Sequence, residues 1–502
     1  MKNILSKVLL ALSAILIFAE VLLYLGRFYV ALTSDLPIDY EGPTYFGVRQ
    51  LASSCNIYDA NTLNAAPFMV TIYMPLYYGL CAIFQNFLDI GSGLKVCRLV
   101  SILSLVWASY SAFRIFKISQ IGQIRSILGV FVFLNFFALW IWSNYCRVDM
   151  LATALSLFAL ERFIALQTTD EKAQSIKSLI VPILFCAAAL YTKQSSFVVA
   201  FSIFVYLLWR KRWKESIFFA VALAAVCAFL FVLMQAITGG GFLAHMQFAS
   251  RMPYDWTMMM DHLGWIGLDW LKILIVAASS LVLLIFGKRK TEQKSYFALS
   301  LPFLFSTAIF TLYTLGTEYP NTNHAILFYF TLVWIFMQVS HEYRQRQDQR
   351  PECVYSISLV LSSLLGCVLM FSLLPSMLLW PGELNASKKQ LDVLTKLKPQ
   401  SLIFTEDPYL SLVSNTKPLF VDVSTFVQVW RKERKEAWQN DLIDLVNQKK
   451  LEAVIINCHD DQKEKPIYYW SADLVDSIHQ KYRLNSSLTG NRQAQNVYLQ
   501  AN

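Results

Sequence analysis

Residues 73–90 read Tyr73-Met-Pro75-Leu-Tyr77-Tyr78-Gly-Leu-Cys-Ala-Ile-Phe-Gln-Asn-Phe-Leu-Asp-Ile90. Whether this stretch crosses a membrane sets the orientation of everything after it. It is one of twelve apolar runs, near 8–31, 73–90, 97–116, 126–143, 148–166, 178–192, 194–209, 215–236, 267–287, 296–316, 325–340 and 354–375. Basic clusters stand between some of these runs: Arg114/Lys117/Arg125, Lys172/Lys177, Arg210–Lys214, Lys288–Lys290 and Arg344/Arg346/Arg350. If all twelve runs crossed, the first cluster would face outward and the third inward, against the tendency of Lys and Arg to stay on the cytoplasmic side. If 73–90 does not cross, every cluster falls on the N-terminal side. Pro75, Gly79 and three tyrosines within six residues also suit an interfacial helix better than a span. The expectation is therefore a polytopic α-helical membrane protein of about 11 transmembrane helices, with the N-terminus cytoplasmic.

Composition supports that class. Of 502 residues, 56% are hydrophobic and only 15% charged, where a soluble domain carries about 25% charge. The first run, from Val8 to Leu32 behind Lys2 and Lys7, is too long for the core of a signal peptide and reads as a retained span. The net charge of +9 resolves by position: 19 Lys and Arg lie in the expected cytosolic segments, 16 in the tail 381–502, and eight at the outer loops and span ends. The surplus is a topology signal with some attraction to membrane lipids. It is not the basic, aromatic groove of a nucleic-acid-binding protein. Nine scattered cysteines form no CxxC pair and no zinc spacing, and read as small apolar fillers.

After Trp380 the chain changes character. Strand-like stretches at 401–405, 418–421, 452–456, 481–488 and 495–500 alternate with helical ones near 408–414, 425–448 and 469–480. This predicts a small α/β domain over 381–502, outside the membrane, attached to a membrane module over 1–380 whose outer loop 32–96 carries interfacial helices.

The polar residues of the outer face are few. Asp35-Leu-Pro-Ile-Asp39-Tyr-Glu41-Gly-Pro43 places three carboxylates where an apolar helix ends. Such a group can act as a general base or offer oxygen ligands to a divalent cation, so metal dependence stays open. Arg98, Arg147 with Asp149, and Lys193 lie at span ends on an otherwise base-poor face, with Asn323 and His324 in a further outer loop. Cations there suit a lipid-linked phosphate at headgroup depth, although Lys and Arg near span ends also snorkel toward water.

In order along the chain, Asp39-Tyr-Glu41-Gly-Pro43, Tyr73-Met-Pro75-Leu-Tyr77, Arg147-Val-Asp149-Met-Leu151, Lys193-Gln-Ser195 and Gly316 with Asn323-His324 resemble the membrane-integrated glycosyltransferases of the C-type fold. The likeness is to bacterial sequences of the family 39 type, which groups protein mannosyltransferases with the aminoarabinose lipid A transferases, and it spans roughly 35–340. Two departures stand out: no glycine separates Asp39-Tyr from Glu41, and Met74 replaces a common first proline. The resemblance implies an inverting transfer from a polyprenyl-phosphate sugar donor to a lipid, glycan or protein acceptor, on the periplasmic side of a bacterial inner membrane. It implies Asp39 or Glu41 as the base, Arg98, Arg147 and Lys193 on the donor phosphate, and Asp149, Tyr73, Tyr77, Asn323 and His324 around the substrates. A flippase would instead need charged residues deep in its spans, where Glu20 is the nearest candidate. A polymerase or ligase would need a large basic outer loop, yet Arg251 is the single Lys or Arg between 237 and 266.

Overall fold

The computed structural model describes residues 2–35, 41–88, 92–168, 176–265, 267–286, 297–316, 322–344, 350–378, 395–434, 439–457, 470–488 and 495–500. Asp39 lies outside these residues. Sixteen helices precede the tail in this description: α1 (Lys2–Thr33), α2 (Glu41–Ala52), α3 (Pro75–Phe87), α4 (Gly93–Ile118), α5 (Gln123–Leu134), α6 (Phe137–Trp142), α7 (Asp149–Thr168), α8 (Ile180–Leu190), α9 (Phe197–Trp209), α10 (Trp213–Thr238), α11 (Gly241–Ala249), α12 (Trp256–Trp265), α13 (Gly267–Phe286), α14 (Phe297–Thr314), α15 (Ile326–Arg344) and α16 (Arg350–Leu378). Among the described residues, four stretches are long and apolar enough to cross a bilayer: Ala11–Thr33, Gly93–Ile118, Trp213–Thr238 and Thr322–His341. Five shorter apolar helices accompany them. α3 has 13 residues; at about 1.5 Å per residue it reaches only about 20 Å, short of a hydrocarbon core of about 30 Å.

The apolar run 126–143 does not form one helix. It divides at Asn135–Phe136 into α5 and α6, with Phe136 extended at φ −70°, ψ 135°. No proline causes the break. The signal is polar residues inside the apolar run, Asn135 and then Ser143-Asn144. A broken helix frees backbone groups that an apolar bundle cannot satisfy with water, so side chains must do it. They come from two directions. On α1, Tyr24 Oη donates to Leu134 O at 2.6 Å, and Arg27 donates to Ile141 O and Asn144 Oδ1, both at 2.9 Å. On α13, Asp269 Oδ1 accepts from Phe137 N at 3.0 Å, and Lys272 donates to Asn135 O. Asn135 Nδ2 in turn donates to Glu20. The fit is close: a side chain in place of Gly366 on α16 would fall on the Asn135 amide.

The tail folds as β1 (Leu402–Thr405), α17 (Pro408–Ser414), β2 (Lys417–Pro418), α18 (Val423–Arg434), α19 (Asn440–Asn447), β3 (Ala453–Asn457), α20 (Ala472–Lys481), β4 (Tyr482–Leu488) and β5 (Gln495–Gln500). The strands form one sheet in the order β2-β1-β3-β5-β4. β1 is parallel to β2 and β3, while β5 is antiparallel to both β3 and β4. Of the helix expected over 425–448, the described residues show α18 and α19, and 435–438 lie outside them.

This sheet does not close on itself. Beside β2, Phe68 N donates to Leu419 O at 2.8 Å, and Val421 N donates to Phe68 O at 2.9 Å. The Phe68 ring stacks on Phe420 at 5.2 Å and meets Trp430 edge-on at 5.2 Å. Leu63, Val70 and Phe248 belong to the same core as Phe404, Phe420 and Trp430. The tail and the helical module therefore share apolar contacts.

Arg27 is 4% exposed and also lies over the Trp140 ring, 4.4 Å from its centroid. Arg27→Met leaves Asn144 Oδ1 and Ile141 O without this donor, and should cost about 2–4 kcal/mol. A melt of the detergent-solubilised protein should show a clear fall in midpoint, while the conservative Asp269→Asn variant should lose less.

Candidate active site

The site is assembled where α1 ends. Arg98, one turn into α4, donates through Nη1 to Ala31 O at 2.8 Å and Ser34 O at 2.9 Å. Its other nitrogens pair with the first residue of α2: Nε with Glu41 Oε1 at 3.0 Å and Nη2 with Oε2 at 2.5 Å. Glu41 Oε1 also accepts from Cys146 N at 2.6 Å. Both side chains are 0% exposed. This geometry bears on two expected roles. Arg98 was expected on a phosphate and Glu41 as one of two candidate bases; instead each is turned to the other and sealed from solvent.

The bond to Cys146 fixes the residues that follow. Ser101 Oγ donates to Tyr145 O at 2.6 Å on the same crossing. Arg147 then reaches Tyr73 Oη at 2.5 Å, with its guanidinium 5.2 Å from the Tyr73 ring centroid and 5.4 Å from that of Trp142. Asp149 opens α7 and is 2% exposed. Its Oδ1 accepts from Lys193 Nζ at 2.6 Å and Asn323 Nδ2 at 2.8 Å. Its Oδ2 lies 3.8 Å from Arg147 Nε, too far for a hydrogen bond. Lys193, in the turn between α8 and α9, is 6% exposed. Five residues distant in sequence thus meet: Tyr73, Arg147, Asp149, Lys193 and Asn323. Two cations, Arg147 and Lys193, face the Asp149 carboxylate.

Two hollows flank this cluster. The first holds about 410 Å³ and has Asp149, Lys193, Asn323 and His324 at one end and Val198, Phe310, Ile326 and Leu327 along its sides. Asp149 Oδ2, Asn323 Oδ1 and His324 Nδ1 are buried there without hydrogen-bond partners among the described residues. The second, of about 720 Å³, lies against the tail and includes Tyr73, Tyr78 and Arg147. Tyr77, expected near substrate, is fully buried and bonds Cys97 O at 3.1 Å, so its neighbour Tyr78 takes the lining position. Tyr78 was missed because a tyrosine pair gives no periodic clue to which ring faces the cavity. Among the described residues, no three His, Cys, Asp or Glu side chains are grouped to hold a metal.

The tail also touches this end of the bundle. Tyr409, at the start of α17, packs on Tyr45 and donates to Asp35 O. Asp407 caps α17 by accepting from Tyr409 N at 3.0 Å, and its carboxylate lies so close over Gly42 that a side chain at 42 would collide with it.

No family model matches the sequence, and no curated protein matches it at a significant level. Solved structures do. The chain has the fold of the membrane-integrated C-type glycosyltransferases. It superposes on ArnT from Cupriavidus metallidurans, a structure bound to undecaprenyl phosphate, with a TM-score of 0.57, 10% identity, and coverage of 98% of this chain and 97% of that one. It also superposes on the Archaeoglobus fulgidus oligosaccharyltransferase in complex with zinc and sulfate, with a TM-score of 0.57, 11% identity, and coverage of 94% and 71%. The oligosaccharyltransferase AglB from Archaeoglobus fulgidus, in complex with an inhibitory peptide and a dolichol-phosphate, gives a TM-score of 0.53 at 11% identity, covering 98% and 74%.

Two measurements test this geometry. Removing either partner of a buried ion pair strands the other charge, at a cost of about 3–5 kcal/mol. Arg98→Met and Glu41→Gln should each lower the melting midpoint sharply, and the Arg98→Met/Glu41→Leu double variant should recover much of the loss. If the double variant sums the two singles, the pair is not coupled. The second test concerns Asp407. Burial, with the Glu41 carboxylate nearby, pushes its carboxyl up from 3.8 to about 7, against the pull of the Tyr409 N–H. A raised carboxyl pKa favours the docked state while the group is protonated. Its contribution is complete below about 4 and is lost as pH rises through about 7. The protection factor across 408–414, taken against the intrinsic base-catalysed exchange rate, should therefore fall between pH 5 and pH 8 by about tenfold or more, and Asp407→Asn, which keeps the cap, should flatten its pH dependence.

Proposed function

We propose that this chain is an inverting glycosyltransferase that moves a sugar from a polyprenyl-phosphate donor to an acceptor on the outer side of the membrane. One observation carries the reading. Lys193 and Asp149, with Asn323 and His324, form the polar end of a hollow whose sides are apolar, and Arg147 lies 3.8 Å from the Asp149 carboxylate. A phosphate attached to a long hydrocarbon chain has the same two-part chemistry. ArnT and AglB, which share the fold, were solved with undecaprenyl phosphate and dolichol-phosphate respectively.

In this reading the donor phosphate binds at Lys193 and Arg147. The acceptor hydroxyl attacks the anomeric carbon from the face opposite the phosphate. The carbon–oxygen bond to phosphate breaks as the new one forms, so the configuration inverts. The hydroxyl proton passes to Asp39, the other member of the carboxylate pair. Lys193 and Arg147 stabilise the charge that collects on the leaving phosphate. Asp149 and Asn323 keep Lys193 aimed, and Glu41 with Arg98 is a positioning pair. The charge count further supports eleven spans, a cytoplasmic N-terminus and a periplasmic tail in a bacterial inner membrane. Glu20, the residue a flippase would call upon, is buried against Asn135 at the helix break.

Purified protein in lipid vesicles, given radiolabelled polyprenyl-phosphate sugars and extracted acceptors, should transfer sugar. Lys193→Met should lower the rate about 10²–10³-fold, and Asp39→Asn should abolish it without weakening undecaprenyl-phosphate binding. Transfer that persists in both variants would refute the assignment.

A further inference from the structure

α11 follows α10 through a tight turn. Gly239 and Gly240 take φ +60° and +88°, and Gly241 then lies against the main chain of Tyr58, where a side chain would collide with the Tyr58 carbonyl oxygen. Four residues on, His245 is 0% exposed and bridges two stretches of backbone. Its Nδ1 accepts from Thr71 N at 2.9 Å, and its Nε2 lies 3.0 Å from Asp59 O. A backbone N–H can only donate and a carbonyl can only accept, so the ring is neutral with its proton on Nε2. A second proton, on Nδ1, would point at the Thr71 N–H.

We propose that His245 is a positioning residue: its neutral ring holds the Thr71–Tyr73 segment in place against Arg147, and its protonation in acid releases that segment and slows transfer. This rests on the glycosyl-transfer reading above, because Tyr73 bears on transfer through its contact with Arg147. Three observations carry it. First, the segment joins the site to its surroundings. Thr71 Oγ1 donates to Ile57 O at 2.6 Å, Gln194 Nε2 to Ile72 O at 2.8 Å, and Tyr58 Oη to Tyr73 O at 2.7 Å. Tyr73 Oη meets Arg147, and Gln194 is the neighbour of Lys193. Threonine, glutamine, tyrosine and arginine keep their charge between pH 5 and pH 8, whereas histidine changes its own there. Second, Thr71 is 3% exposed, so its N–H would lose the ring without gaining water. Third, the surroundings favour the neutral ring. The charged group that bears on it is the Asp59 carboxylate, which accepts from Asn61 N and Nδ2, each at 3.0 Å, and the Tyr58 ring stands edge-on at 5.7 Å. Burial holds the His245 pKa below 6.5 against the pull of Asp59. The clamp is therefore complete above 6.5 and is lost as pH falls below it. The tail holds the helix that carries it, since Phe248 of α11 packs on Phe426 of α18 at 4.9 Å.

The test uses the full chain in nanodiscs and has two readouts. Without substrate, the protection factor of the 69–74 amides, taken against intrinsic exchange, should fall by about tenfold between pH 8 and pH 5. His245→Gln, which offers one acceptor and one donor and does not titrate, should remove that pH dependence. His245→Leu should show the low protection at both pH values. In turnover, the kcat of the unsubstituted protein should fall in acid together with the protection. His245→Gln should lose this acid limb, and His245→Leu should lie about tenfold or more below the unsubstituted protein at pH 8 while still binding undecaprenyl phosphate. Protection that does not fall in acid in the unsubstituted protein, an acid limb that survives in His245→Gln, or full protection in His245→Leu would each overturn the clamp. Absence of sugar transfer at every pH would instead refute the glycosyl-transfer reading, with the exchange readout still deciding the clamp.

Discussion

A guanidinium and a carboxylate closed off from water hold this end of the molecule together. Arg98 bonds the last carbonyls of α1 and the first residue of α2, and Glu41 passes the constraint on to Cys146. One step later in the chain stands Arg147, and three steps later Asp149. Their positions relative to Tyr73 and Lys193 follow from this anchor more than from any local preference. An uncompensated charge in the same place would be far more costly than the pair is favourable. The arrangement is therefore all-or-none, and that suits a framework whose task is to place other charges.

The same economy governs the broken helix. On either side of α6 the chain between Leu134 and Asp149 leaves regular structure within a buried part of the bundle, and Tyr24, Arg27, Asp269 and Lys272 supply partners that the freed backbone needs. Irregular backbone is what lets Arg147 and Asp149 face different cavities. In an unbroken helix, residues two apart also point in different directions, but neither could approach Tyr73 and Lys193 with its main chain held by α4. Buried charge is thus structural here at Arg27 and Asp269, and it leaves Arg147 and Asp149 to face the cavities.

Much of this was legible from sequence. Apolar runs gave the helices because length and composition alone set them. The alternation of strand-like and helical stretches in the tail gave strands at 402–405, 453–457 and 482–488 because short apolar runs between polar segments mark strands. The meeting of Arg147, Asp149, Lys193 and Asn323 was foreshadowed by their shared side in the charge argument. What stayed hidden has a common cause. The break at Asn135, the pairing of Arg98 with Glu41, the bond of Tyr77 to Cys97 O while Tyr78 lines a cavity, and the placing of Asp422 and Arg147 on one cavity all depend on contacts between distant segments. No periodicity encodes which of two adjacent cations meets a carboxylate 57 residues away. A polar residue in an apolar run reads equally as a kink or as a helix–helix bond until its neighbours are known.

Phe68 has a consequence for how this protein can be taken apart. Its ring occupies the core of the tail and its backbone lengthens the tail's sheet, yet it belongs to a loop more than 300 residues earlier. A tail excised at residue 381 would carry an empty aromatic slot beside an unpaired strand, the combination that invites self-association. The modular boundary that the composition draws near Trp380 is therefore not a line along which the molecule can be recombined. Any chimera that exchanges the tail for another must carry residues 60–74 with it, so the loop and the tail are inherited as one unit.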